Sequence, residues 1–524
     1  MRAIQDAYLA RVLSANAQTR FGREHGFDGV RDREDFRRRV PVRDYEALRD
    51  PWLTQVEQGE PGILVSEPVL HLHPTSGTAG GRKLIPYTAG LRADFGRGLA
   101  SWLNGLYSDL PALDGGSAYW AITPPMPLVQ PEGCRVPVRF AEDAEYLPSD
   151  LAMAVGRSMA LPSGVGQLTA VDNVLYATLR FLLADDSLRL ISVWSPTWLQ
   201  MLLERAETWR ERLLADIGQG GLRLPVQEPE GAGRIPESHL KPRPDRAQLL
   251  RPLLDQAAPD YSAVWPQLRL ISCWTEGSAA RFVLSLDTLF PGIPIQPKGL
   301  LSTEAMVSYP DTLEAKRGCR LATECHFFEF LDQDTGLTRF SDEVREGKAY
   351  SVIVTTAGGL YRYQTHDVVQ IASTKDGVPY LNFVGRDDRT VDLVGEKLNE
   401  TVVEEAVRLS MKATGLRSGV QFLVPDVATT PPAYVLLVER DRCSKAAAAD
   451  LAARLDGELR RDFQYDQARG AGQLGAVRFH RLTTASSRSV WEYLFGHKRP
   501  GDLKASVLQG DPELLNQILT THAP

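Results

Sequence analysis

Cysteine is scarce in this chain. Five residues (Cys134, Cys273, Cys319, Cys325 and Cys443) are scattered over 524 positions, too few and too widely spaced for a disulfide framework. Cys319, Cys325 and His326 lie close in sequence, but no second Cys/His pair stands at zinc spacing, so a structural metal is not expected. Long apolar runs are also missing. Nothing approaches the roughly eighteen consecutive apolar residues that a membrane span needs, and residues 1–6 open directly into an amphipathic pattern. The expectation is a cytoplasmic protein with no membrane partner. Positive charge is not in excess either. Lys and Arg number 59 against 66 Asp and Glu, a formal net charge of -7, which argues against nucleic acid as a partner.

What is present is ample material for cores, with 43% hydrophobic and 24% charged residues, the balance of a globular chain divided into two or three domains. One stretch stands out. His73-Pro-Thr-Ser-Gly-Thr-Ala-Gly-Gly-Arg-Lys-Leu-Ile-Pro-Tyr-Thr88 alternates small hydroxylated residues with glycine and ends in a basic pair. Gly77, Gly80 and Gly81 free the backbone to turn successive N–H groups toward an anion, and Thr75, Ser76 and Thr78 add hydroxyl donors. Arg82 and Lys83 add charge. This is phosphate-handling chemistry without Walker A spacing, because Lys83 is followed by Leu84 rather than Ser or Thr.

The periodicity predicts a helical cap over residues 1–60, a helix at 91–106, a strand at 116–123 and a helix at 172–183. A buried strand at 188–194 (L-R-L-I-S-V-W) and a helix at 197–217 follow. Residues 218–245, dense in Gly, Pro and charge, read as an excursion. The fragment L-R-L-I-S-C-W at 268–274 nearly copies the earlier strand, and strand–helix alternation favours a mostly parallel sheet. From 319 to 372 short β-rich segments predict an antiparallel subdomain. Past Arg386 the pattern becomes α+β: a helix at 398–411, strands at 420–424 and 434–438, a helix capped by Ser444, and a strand at 477–482. The expected class is therefore α/β. A large N-terminal domain (1–386) carries mostly parallel sheets and a β-rich subdomain, and a small C-terminal α+β domain spans 387–524.

Further motifs punctuate this frame. Gly299-Leu-Leu-Ser-Thr-Glu304 follows a predicted strand, placing Ser302, Thr303 and Glu304 at its carboxyl end, where open α/β sheets bind ligands. Gly359-Leu-Tyr-Arg-Tyr-Gln-Thr-His-Asp367 brings an acid after an aromatic and basic run, as a ribose diol requires. Phe383-Val-Gly-Arg386 and Gly395-Glu-Lys-Leu398 flank the expected domain boundary. Cys273 falls inside a core strand and no G-x-S-x-G elbow is present, so an acyl-enzyme is not expected.

Taken together and in this order, T-S-G-T-A-G-G-R-K-L-I-P, I-S-V-W-S-P-T, I-S-C-W-T-E-G, K-G-L-L-S-T-E, L-Y-R-Y, D-V-V, V-G-R, G-E-K-L-N-E and G-D-L-K resemble the acyl-acid amido synthetases named for plant auxin-responsive genes. That family sits within the adenylate-forming superfamily of acyl-CoA synthetases, peptide-synthetase adenylation domains and luciferases, and the likeness spans almost the whole chain. The resemblance implies adenylation of a small carboxylic acid by ATP with Mg²⁺, then acyl transfer to an amine or amino acid. It implies that Thr75, Ser76, Gly77 and Thr78 hold the β- and γ-phosphates, and that Ser302 and Thr303 meet the nucleotide, Thr303 at the α-phosphate. Glu304 would hold Mg²⁺. Tyr361, Asp367 and Arg386 would bind the nucleotide, Asp367 at the ribose. Lys504, with Lys498 as competitor, would stabilise the pentavalent centre from the small domain. Gly385 and Gly395 bracket the expected hinge, and a monomer or weak dimer is expected.

Three departures qualify the likeness. His366 replaces the usual glycine before Asp367, predicting a strained turn or a repositioned acid. Leu300 stands where plant members often carry tyrosine, so adenine must be met from elsewhere. Ala305 follows Glu304 where glycine is common. For the acyl pocket, the neighbourhoods 123–126 and 161–165 and Trp274 are the candidates. Two alternative functions stay open: a thioester ligase using the same adenylate with coenzyme A or a carrier protein, and a degenerate binding-only relative. On the small domain Arg454, Arg460 and Arg461 are interleaved with Asp450, Asp456, Glu458 and Asp462, a mixed face rather than a basic track for coenzyme A.

Overall fold

A computed structural model describes residues 1–75, 83–121, 130–139, 149–229, 233–256, 259–313, 317–416, 419–495 and 505–521. Its centre is a four-stranded parallel sheet of Ser117–Trp120, Leu188–Ser192, Leu270–Cys273 and Ile295–Pro297, in that order. The two near-identical fragments are adjacent strands of this sheet. They pair in matched register, with Leu190 opposite Leu270, Ile191 opposite Ile271 and Ser192 opposite Ser272. Equal neighbours on both faces account for the equal sequences. The predicted helix at 197–217 is two helices, Pro196–Thr208 and Arg210–Gln219, divided at Trp209. The excursion after them docks back onto the body. Glu228 accepts hydrogen bonds from the Thr169 and Ala170 N–H groups and from Asn173, placing a carboxylate at the amino end of the helix Val171–Ala184.

The antiparallel subdomain is larger than its sequence pattern predicted. Seven strands from Ser308–Tyr309 to Val378–Arg386 form one sheet, with Tyr363–Lys375 and Val378–Arg386 as its longest pair. After it, the strand pair Thr390–Val391 and Leu398–Asn399 leads into the helix Glu400–Thr414. That helix starts two residues later than expected because Asn399 is its cap, accepting from Thr401 N at 2.8 Å. A mixed three-stranded sheet (Val420–Asp426, Ala433–Glu439, Arg478–Leu482) completes the C-terminal part. Its apolar residues form clusters of their own, one centred on Leu398, Leu436 and Leu455, the other on Phe422, Leu437 and Ile518. Among the described residues no helix is long and apolar enough to cross a membrane, and no group of three or more His, Cys, Asp or Glu could hold a metal ion.

The helical cap is locked on by the L-Y-R-Y motif. Arg362, buried and at φ 48°, forms a two-pronged ion pair with Glu329 at 2.8 and 2.9 Å. It also donates to the carbonyls of Arg37 and Val40 in the cap. Tyr361 beside it is fully buried, stacks on Phe21 at 4.7 Å between ring centroids and donates to the Leu64 carbonyl. The placement of Tyr361 at the nucleotide is therefore corrected: its ring and hydroxyl are both spent in the core. Arg362→Met would leave Glu329 buried without its counter-charge, a cost of about 3–5 kcal/mol. The denaturant midpoint should fall accordingly, and a shift worth less than about 1 kcal/mol would show that the clamp does not hold the cap.

Candidate active site at the carboxyl ends of the parallel strands

Leu72 to Pro74 pairs antiparallel with Leu84 to Pro86, a hairpin whose two arms flank the glycine-rich segment and are joined by Thr75 N–H on the Lys83 carbonyl at 2.9 Å. Ser76, Gly77 and Thr78 lie outside the described residues. Thr75 is described, and its buried hydroxyl has no hydrogen-bond partner among the described residues, a cost that a bound phosphate oxygen would remove. The hairpin is tied to the next motif. Tyr87, flanked by His73, donates to the Thr303 carbonyl at 2.7 Å.

Ser302, Thr303 and Glu304 sit on a tight turn whose base is the Leu301–Met306 bridge and whose ends are bonded Ser302 N–H to Ala305 O. Gly299 starts this excursion at φ 72°, and a Cβ there would stand 2.3 Å from the Ser308 carbonyl oxygen. Only glycine fits. Ala305, buried completely, is tolerated after Glu304.

Asp367 and Arg386 are cross-strand partners on the long antiparallel pair, joined at 2.9 Å. Asp367 is almost fully buried, while Arg386 also grips Asp388 with two hydrogen bonds at 2.8 and 2.7 Å. Burial would lower the Arg386 pKa, but Asp367, Asp388 and Glu304 together hold it above the usual guanidinium value. Burial and the Glu304 charge push Tyr363 well up, with Asp367 adding to the effect and Arg386 opposing it. Electrostatically, then, Glu304, Asp367, Arg386 and Tyr363 form one neighbourhood. His366 adopts φ 65°, so the strain predicted for the missing glycine is present. The acid is nonetheless held against Arg386, and the imidazole Nδ1 sits 2.7 Å from Asp387. His366→Gly should relax the backbone but lose that contact. The two effects offset, so stability should change by less than about 1 kcal/mol and the ATP KM by less than about twofold. A tenfold rise in that KM would make His366 itself a nucleotide contact.

Beside this neighbourhood a pocket opens beyond the strand ends, lined by Ser195, Trp274, Glu276, Lys298, Leu301 and Phe383 among others. Ala505, next to Lys504 in sequence, lines it too. Lys504 and Lys498 themselves lie outside the described residues, as do positions 123–126. Leu161 and Val165 belong to the apolar core beneath the sheet rather than to the pocket, a correction to their expected role. Of the acyl-pocket candidates, Trp274 lines it.

The chain matches the GH3 family N-terminal domain over residues 1–295, the central domain over 319–386 and the C-terminal domain over 400–513. It belongs to the GH3 family. Indole-3-acetic acid-amido synthetase GH3.2 of Arabidopsis thaliana is 24% identical over 506 residues, covering 90% of each chain. Indole-3-acetic acid-amido synthetase GH3.8 of Oryza sativa subsp. indica is 27% identical, covering 77% of this chain and 69% of its own. Among solved structures, the GH3.15 acyl acid amido synthetase superposes with a TM-score of 0.84 at 19% identity, over 99% of this chain and 94% of that one. A 2-hydroxyisobutyryl-CoA ligase bound to its acyl adenylate shares the fold more distantly, with a TM-score of 0.57 at 15% identity, over 99% and 92%. As a GH3 member the chain is an enzyme, a ligase.

Sequence reasoning quoted I-S-C-W-T-E-G and K-G-L-L-S-T-E without assigning Glu276 or Lys298 in this GH3 pocket. Glu276 accepts from Phe383 N–H at 2.8 Å, and burial pushes its carboxyl up to about 7 against that hydrogen bond. An unfolded carboxyl titrates near 4.3, so the native state binds the extra proton between these values. The stability this contributes is fully present below about pH 4.3 and is lost as pH rises through about 7. Urea midpoints across that window should therefore fall for the wild type relative to Glu276→Gln. Parallel pH profiles of the two proteins would show that Glu276 is ionised throughout.

Proposed function

We propose that this GH3 enzyme adenylates a small carboxylic acid with ATP and passes the acyl group to an amine or amino acid. A carboxylate oxygen attacks the α-phosphorus and pyrophosphate leaves. The amine nitrogen then attacks the carbonyl carbon, the bond to AMP breaks, and the nitrogen loses a proton as the amide forms. The observation that carries this reading is the meeting of three motifs: the glycine-rich hairpin tied through Tyr87 to Thr303, and the Glu304 turn in the same electrostatic neighbourhood as the Asp367–Arg386 pair. Thr75 and the glycine-rich segment would take the β- and γ-phosphates, and Thr303 the α-phosphate. Asp367 would accept from the ribose while Arg386 fixes its carboxylate. Ser302 supports the turn. Glu304 would hold Mg²⁺, which neutralises phosphate charge. The enzyme works in the cytoplasm as a monomer or weak dimer.

An amine rather than coenzyme A is favoured by the small domain's surface. Arg454, Arg460 and Arg461 are paired with Asp450, Asp466 and Glu458, so their charge is already met locally and makes no anion track. The test is AMP release over a panel of aromatic and aliphatic acids, each with pooled amino acids, simple amines or coenzyme A, with mass spectrometry of products. Amide formation independent of coenzyme A is expected. Thioester appearing only with coenzyme A, and no amide, would replace this reading with the thioester ligase. ATP binding without pyrophosphate release for any acid would make the chain a binding-only relative.

A further inference from the structure

Lys298 lines the pocket, and the floor of sheet behind it, beyond the lining residues, holds polar groups that the adenylation chemistry does not use. Trp120, Ser192 and Ser272 stand opposite one another on successive strands of the parallel sheet, so their side chains share a face. Lys298, two residues beyond the matching position of the fourth strand, reaches back over this row and donates to the Ser192 hydroxyl at 2.7 Å. Lys298 as a whole is 7% exposed, and its ammonium lies over three indoles, 4.7 Å from Trp102, 4.8 Å from Trp194 and 5.8 Å from Trp120. The cage holds the charge in place at a depth where a solvated lysine would not be found.

Two further atoms point the same way. The Trp120 indole N–H and the Ser272 hydroxyl are buried and have no hydrogen-bond partner among the described residues. Buried polar groups in native proteins are nearly always satisfied, and an orphan costs stability unless something binds it. An oxygen acceptor would satisfy an indole N–H and a hydroxyl and would face the caged ammonium. Purely hydrocarbon groups would satisfy none of them.

We infer that this floor recognises the far end of the acyl substrate, and that the acid carries an acceptor oxygen (a hydroxyl or keto group) remote from its reacting carboxylate, read by Lys298, Trp120 and Ser272. The inference rests on the proposed adenylation of an acid in this pocket. The reacting carboxylate must approach the Thr303 side, so the floor meets whatever projects from the other end.

The test uses matched pairs of acids that differ only in a ring hydroxyl or a chain keto group, such as the hydroxybenzoates against benzoate. Binding to the full chain is read by tryptophan emission, and turnover by AMP release. At least one oxygen-bearing isomer should bind about tenfold more tightly than its bare partner, the worth of a satisfied buried hydrogen bond. Ser272→Ala should shrink that preference severalfold while leaving the thermal midpoint unchanged or higher, since it deletes an orphan. Lys298→Met should abolish the preference with the ATP KM unchanged. Equal losses for bare and oxygen-bearing acids in these variants, or no preference in the wild type for any pair, would overturn the inference while leaving adenylation standing. Conversely, the binding preference without AMP release from any acid would refute the adenylation reading and leave the floor's specificity intact.

Discussion

Asp367→Ala should raise the ATP KM by between about tenfold and a thousandfold, with a smaller fall in turnover at saturating ATP. The range corresponds to about 1.4–4 kcal/mol, the scale of losing hydrogen bonds to a charged acceptor. Asp367 is 1% exposed, and Arg386 occupies one of its oxygens. The substitution therefore removes the acceptor proposed for the ribose hydroxyls and also one of the three hydrogen bonds that hold Arg386, which would swing fully onto Asp388. Asp367→Asn separates the two effects. It keeps the shape and an acceptor oxygen but loses the charge that holds the guanidinium, so its ATP KM should lie between wild type and alanine. Unchanged ATP KM and turnover in the alanine variant would show that the ribose is read elsewhere, with His366 the adjacent alternative.

The legible parts of this chain were those set by local pattern. The duplicated L-R-L-I-S fragments announced two strands in equal surroundings, and the structure makes them register-matched neighbours. The Ser444 cap and the following helix Lys445–Leu459 were readable because capping is a local hydrogen bond. What escaped was decided by tertiary contact. The family resemblance placed Tyr361 at the nucleotide beside Asp367, but it precedes the strand that bears Asp367 and its ring packs into the core against Phe21. Glu276 and Lys298 carried no signal of their own. A lysine after a strand is ordinarily a solvated end, and only the three indoles arriving from other elements make this one a buried cation. His366 was half read: the sequence predicted strain from the lost glycine, and the Asp387 contact that offsets it lies twenty-one residues on.

Lys504→Ala should depress adenylation by a factor of about a hundred to a thousand, the typical cost of deleting one preorganised donor at a centre where charge develops. The structural support is indirect but specific. Ala505, 4% exposed, lines the pocket together with Lys298, Glu276 and Phe383, and Lys504 is its neighbour in sequence. Lys498 is six residues further from that anchor. If Lys504 neutralises the pentavalent phosphorus, its loss should act on the first half-reaction alone. Acyl transfer from a chemically prepared acyl adenylate to the amine needs no charge at that phosphorus and should proceed within a few-fold of wild type. Lys498→Ala should leave both half-reactions near wild type. The measurement is pyrophosphate exchange for the first step and amide formation from supplied adenylate for the second. Loss of both steps in Lys504→Ala, with the fold intact by circular dichroism, would assign the residue to holding the small domain closed. A selective first-step loss in Lys498→Ala would move the catalytic role to that lysine.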